Sequence, residues 1–129
     1  MNHRLPIVAL AFLAAACTAK SEREPLIRAP DAEMLAPPVN CIQTSRIRST
    51  RVWDDYTIDF EMAGDEILRN NLPLRCPGLG FEERFAHSSS TAQLCSVDTI
   101  TVLHSDSRRG AVCGLGEFVP IRYSRAAAD

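Results

Sequence analysis

The sequence predicts an all-β domain, a small meander of about six or seven short strands forming an open barrel or sandwich and stapled by disulfides. Three observations carry that expectation. Apolar residues recur with a period of two from Val39 onward, turn-forming residues separate the apolar runs at short intervals, and four cysteines fall inside the same stretch. At 129 residues the chain fits one ordinary domain, so a single core is expected.

The elements follow in order. Arg46 to Trp53 reads as a strand, and Asp54-Asp55 is a natural turn into the next. From Tyr56 to Met62 the alternation is clearest: Tyr56, Ile58, Phe60 and Met62 share one face, while Thr57, Asp59 and Glu61 share the other, the pattern of a half-buried strand. Ala63-Gly64-Asp65 turns the chain, with Gly64 free to take positive φ, into a second run at Glu66 to Arg69. Asp98 to His104 alternates again, with Ile100, Val102 and His104 on one face, before a polar turn through Ser105-Asp106-Ser107 and a return at Gly110 to Cys113. Phe118 to Tyr123 closes the domain, and Pro120 marks an edge strand or a bulge.

The N-terminus carries an address. A short basic region with Arg4 precedes the apolar run Ile7 to Ala16, which is too short to span a bilayer and matches a signal peptide over residues 1–16. Leu13-Ala14-Ala15-Ala16-Cys17 resembles a bacterial lipobox, which implies that Cys17 is acylated before the signal is removed. Such motifs prefer Leu three places before the cysteine, whereas Ala14 stands there and Leu13 one place earlier; plain cleavage after the alanines is the alternative. Thr18 in place of Asp after the cysteine points to the periplasmic face of the outer membrane, with a soluble periplasmic or secreted protein as the alternative address. Residues 17–39 hold Pro25, Pro30, Pro37 and Pro38 and read as a lipidated cysteine followed by an extended tether, within which only Asp31 to Ala36 could form a helical turn. Residues 40–125 then form the β domain.

Charge narrows the partners. The formal charge of -2 provides no sustained basic surface, which excludes nucleic acid from the expected partners and leaves the membrane, through the lipid, and an envelope protein. Thirteen of the fourteen basic residues are Arg, and Trp53, Tyr56 and Tyr123 with Arg46, Arg48, Arg51 and Arg122 supply the residue types over-represented at interfaces. Trp53, Tyr56, Arg46, Arg48 and Arg51 form the candidate interaction surface.

With Cys17 assigned to the lipid, Cys41, Cys76, Cys95 and Cys113 remain, an even number in an exported chain, so two disulfides are expected. Spacing does not choose among the three connectivities; a nested arrangement, Cys41 with Cys113 and Cys76 with Cys95, is the preferred expectation. No C-x-x-C pair occurs and no histidine stands at ligand spacing from a cysteine, so neither a metal nor another cofactor is expected. Two segments echo each other, Cys76-Pro77-Gly78-Leu79-Gly80-Phe81 and Cys113-Gly114-Leu115-Gly116-Glu117-Phe118. Neither carries the phosphate-cradling G-x-x-x-x-G-K-[ST] pattern, so the glycines read as places where a bridged strand bends.

His104-Ser105-Asp106-Ser107 is the densest cluster of base, nucleophile and acid, yet it lies in a turn, where neighbouring side chains rarely converge as a triad does. His87 before Ser88-Ser89-Ser90 reads as loop, and Asp54, Asp55 and Asp98 read as turn and strand-end residues before they read as Ca²⁺ ligands or paired carboxylates. No catalytic residue is assigned.

Cys41-Ile42, Val52-Trp53-Asp54-Asp55-Tyr56-Thr57-Ile58, Cys76-Pro77-Gly78-Leu79, Leu94-Cys95-Ser96-Val97-Asp98 and Cys113-Gly114-Leu115-Gly116 occur in an order that resembles the DUF6491 family of small proteobacterial envelope proteins. The resemblance spans about residues 40–120 and implies a lipoprotein whose motifs are structural, with no active site to carry over. The expected function is therefore that of a membrane-anchored envelope lipoprotein acting as a non-catalytic binding or structural module. A β barrel for a small ligand or lipid is the alternative, and a hydrolase a weaker one.

Overall fold

The computed structural model describes residues 26–125. Cys17, the signal peptide and the first part of the tether lie outside the described residues. Within them the regular structure is almost wholly strand: β1 (Ala32–Met34), β2 (Cys41–Gln43), β3 (Ile47–Val52), β4 (Thr57–Met62), β5 (Ile67–Asn71), β6 (Phe85–His87), β7 (Gln93–Cys95), β8 (Thr99–Leu103), β9 (Arg109–Gly114) and β10 (Phe118–Tyr123). A 3-10 turn at Thr44–Arg46 and a single helical turn, α1 (Leu79–Glu82), are the helical pieces among them. The fold is all-β, as the periodicity predicts. The additional strands β1, β2, β6 and β7 are three residues each, too short for an alternation to register.

Every pairing is antiparallel. Five strands form the main sheet in the order β1-β10-β5-β4-β3, three form β6-β8-β9, and β2 pairs with β7. The main sheet stays open, with β1 and β3 at its two edges, so no barrel closes. Phe60 of β4 meets Phe118 of β10 edge-on at 5.4 Å and Phe85 of β6 at 6.3 Å, tying the main sheet to the three-stranded one. Ile58, Leu79, Leu94, Ile100 and Val102 fill the space around them with no solvent exposure. Each such side chain contributes about 1.5–3 kcal/mol of burial.

Four expectations change. The distal part of the expected tether is folded: Ala32, Glu33 and Met34 pair with Tyr123, Arg122 and Ile121, and Val39 bridges Phe118. Asp31 to Ala36 therefore supplies a strand where a helical turn was the option, because the exposed edge of β10 offers ladder partners that an isolated turn lacks. The domain thus begins well before residue 40.

Strand β4 is not half-buried. Thr57 and Asp59, expected on the solvent face, are 3% and 0% exposed, because β3 and β5 flank the strand and further side chains cover that face. Pro120 lies in β10, which is an interior strand between β1 and β5. Its carbonyl accepts from Leu35 N–H at 2.8 Å, so its missing donor faces β1 just past the end of that short strand and costs a single bond.

The nested disulfide pairing is also overturned. Cys41 joins Cys95 and Cys76 joins Cys113, an interleaved arrangement. Cys41 and Cys95 stand opposite each other in the β2–β7 ladder, with Cα atoms 4.0 Å apart. The flanking bond from Ser96 N–H to the Asn40 carbonyl makes theirs a non-hydrogen-bonded pair, the closer of the two antiparallel spacings. The Cys76–Cys113 bridge joins the two echoing Cys-Gly segments to each other and buries Cys76 completely. In the second segment Gly116 exchanges two hydrogen bonds with the buried Asn70 side chain, at 2.8 and 2.7 Å, and a Cβ there would collide with the Asn71 carbonyl. In the first, Gly80 packs against the Asp54 backbone, where a Cβ would lie 3.0 Å away.

Candidate functional site

The hairpin register builds the site. Asp59 of β4 stands between Arg51 of β3 and Arg69 of β5, giving an Arg–Asp–Arg row across one face of the main sheet. Arg69 grips the Asp59 carboxylate with both arms of its fork, Nε to Oδ1 at 2.8 Å and Nη2 to Oδ2 at 3.0 Å. Trp53 Nε1–H and the Tyr123 hydroxyl each donate to Oδ2 at 2.8 Å. The third Arg69 nitrogen donates to the Pro30 carbonyl at 2.9 Å, so the N-terminal segment helps cover the group. Burial pulls the Arg69 pKa down, but the hydrogen bond and charge of Asp59 outweigh it and hold the guanidinium above its ordinary value.

This buried group fixes two aromatic rings at the surface. Trp53 and Tyr123 meet edge-on at 6.4 Å, and the Arg51 guanidinium lies 5.2 Å from the Trp53 ring centre, within cation–π range. Beside them a cleft of about 490 Å³ is lined by Arg28, Thr50, Arg51, Val52, Trp53 and Glu83. It runs along the outer edge of β3. Trp53 N–H bonds the Thr57 carbonyl, and alternation along the ladder directs the Arg51 backbone inward as well. Thr50 and Val52 therefore turn their N–H and C=O groups outward, and no backbone partner reaches them among the described residues.

The residues singled out from the sequence divide. Trp53 and Arg51 come together at the cleft. Arg46 and Arg48 reach the β4–β5 turn instead, with Arg46 donating to the Ala63 carbonyl at 3.3 Å and lying 3.8 Å from Glu66, and Arg48 lying 3.8 Å from Asp65. Tyr56 sits half-buried in the β3–β4 turn. Arg122 pairs with Glu33 at 2.8 Å, across the β1–β10 ladder.

The acidic candidates serve the backbone. Asp54 Oδ1 accepts from Tyr56 N–H at 2.8 Å and Oδ2 from Arg28 and Ala29 N–H at 2.9 and 3.3 Å, which fastens the N-terminal segment beside the cleft. Asp55 accepts from Arg75 and from Gly80 N–H, and Asp98 from Cys95 N–H at 2.7 Å. His104 Nδ1 lies 2.9 Å from Glu82 Oε1, while the Asp106 carboxylate is held by Arg108, whose backbone and side-chain hydrogen bonds lower the Asp106 pKa. His104 and Asp106 thus have separate partners, and no triad assembles with Ser105 or Ser107. His87 is exposed at the end of β6, and Ser89 bonds within its own loop, to the Thr91 and Gln93 carbonyls. Among the described residues no three His, Cys, Asp or Glu side chains converge on a metal position.

Burial first, and then the hydrogen bond to Asp59, push the Tyr123 phenol up to about 12. Because the folded value exceeds the unfolded one near 10, the phenol's contribution to stability is complete below about pH 10 and is lost as pH rises through about 12. A tyrosinate absorbance titration is expected to show an inflection near 12 that disappears in Tyr123→Phe; an unchanged titration would show that the phenol is not tied to Asp59.

Compared with protein-family models, with curated proteins and with solved structures, the chain matches none.

Proposed function

We propose that this protein is a non-catalytic binding module of the bacterial envelope, of the DUF6491 kind, held at the periplasmic face of the outer membrane through Cys17 and working through the β3 side of its main sheet. The observation that carries this reading is the cleft of about 490 Å³ along an unpaired strand edge, with Trp53 held beside it by a buried hydrogen-bonded carboxylate and Arg51 stacked on the Trp53 ring. A rigid aromatic and a stacked guanidinium are the side chains that most often anchor an interface. The address takes its support from the lipobox-like Leu13 to Cys17 and the apolar run before it. The space between the sheets is filled by Phe60, Phe118, Phe85 and their neighbours, which favours a surface site over an interior ligand chamber.

A photocrosslinking amino acid placed in living cells at Thr50 or Arg51 is expected to give a discrete adduct in the membrane fraction, while one at Glu117 gives none. The intact mass of the uncrosslinked chain from the same fraction is expected to correspond to a chain that begins at Cys17 and carries three acyl groups. Absence of any adduct from the β3 positions would remove the binding reading, and an unlipidated mass would remove the anchor.

A further inference from the structure

We infer that the β3 edge takes up an extended acidic peptide segment as an additional strand, an inference that rests on the reading of the β3 side as the working surface. The backbone sets the class of ligand. Thr50 and Val52 present N–H and C=O groups outward at a two-residue repeat, and the cleft lies directly along them. A peptide backbone in extended form offers donors and acceptors at the same repeat, which a lipid headgroup or a sugar does not. Thr50 to Trp53 spans about 10 Å, so three or four residues of the incoming strand would lie in the cleft.

Charge sets the side chains. Arg46, Arg48, Arg69, Arg75, Arg108 and Arg122 each have a carboxylate within salt-bridge distance. Arg51 and Arg28, which line the cleft, have none among the described residues, so a carboxylate on the incoming strand meets two guanidiniums that have no carboxylate partner there. Glu83, exposed and also lining the cleft, works against that carboxylate and gives the site a second, opposite handle. A second copy of this chain is the wrong occupant, because antiparallel pairing of two β3 edges would gather Arg48 and Arg51 of both copies, four arginines, on one short ladder.

The test uses the chain as purified from cells and a fluorescein-labelled nonapeptide alternating valine with glutamate. Saturable binding is expected by anisotropy, with the Thr50 and Val52 amides changing most in the nitrogen–proton spectrum. The same peptide N-methylated on the amides of one edge, and its valine–lysine counterpart, are expected to bind at least about tenfold more weakly, since each lost backbone bond costs about fivefold. Arg51→Gln should weaken the glutamate peptide about fivefold and Glu83→Gln should strengthen it a few fold.

No saturable binding, equal binding of the N-methylated peptide, or amide changes away from β3 would each overturn strand addition. So would capture by phosphatidylglycerol vesicles through Arg51 in the absence of peptide binding. Failure here together with a crosslinked adduct at Thr50 in cells leaves the working surface standing and removes only this mode of recognition; failure of both removes the surface as well.

Discussion

Asp59→Asn is expected to lower the unfolding free energy by about 3–5 kcal/mol, the range for breaking a buried ion pair by neutralising one partner. The carboxylate is fully buried and accepts four hydrogen bonds, two from Arg69 and one each from Trp53 and Tyr123. An amide keeps the shape but offers one acceptor oxygen and turns its NH2 group toward Arg69 in either orientation, and a guanidinium cannot accept from it. The Arg69 side chain, 11% exposed, is left without its counter-charge. Urea unfolding, followed by the chain's one tryptophan, measures the loss directly, because Trp53 is itself part of the group. The double variant Asp59→Leu with Arg69→Met should recover much of that loss, since it orphans neither charge. A single-variant cost below about 1 kcal/mol would mean that Arg69 reaches solvent and that Asp59 does not hold Trp53 at the cleft.

Removal of the Cys76–Cys113 bridge is expected to be at least as damaging. Closing a loop of 37 residues stabilises by about 4 kcal/mol in the chain-entropy treatment, and the Cys41–Cys95 loop of 54 gives a similar figure. The two should nevertheless differ. Cys76 has no exposure and packs with Leu79 in the core, whereas Cys41 lies at the surface. Cys76→Ala with Cys113→Ala should therefore lower Tm by on the order of 15 °C or more, and Cys41→Ala with Cys95→Ala by less. Alkylation during graded reduction should label Cys41 and Cys95 first. Equal reduction of both bridges would remove the difference in burial between them, and a peptide map linking Cys41 to Cys113 would refute the interleaved arrangement.

Much of the main hairpin was legible because Gly64 fixes the turn: counting back from it sets Asp59 opposite Arg69, and that pair could have been read as a site. The alternation rule instead sent Asp59 to solvent. It failed because an acidic residue looks exposed until its donors are known, and those come from Trp53 six residues before it and Tyr123 sixty-four after it. The β1 strand was illegible for a related reason. Ala32-Glu33-Met34 has no strand signal of its own and pairs only because β10 offers an edge. The disulfide connectivity could not be read from spacing, since it depends on β2 lying beside β7, two three-residue strands far apart in the chain. The cleft could not be read at all, as it forms where Arg28, Glu83 and the β3 edge converge from three separate segments.

Interleaved bridges also determine how the molecule meets a protease. A single cut anywhere between Cys41 and Cys113 leaves the two pieces covalently joined, because any such cut is spanned by at least one of the two bonds, 41 to 95 or 76 to 113. A nick in the Ser88-to-Gln93 loop is spanned by both. The fragments stay at each other's effective concentration and the sheet can re-form around the break. In a compartment where damaged chains are cleared by cutting, this domain would remain one molecule after a first cut, and only reduction would let the pieces part.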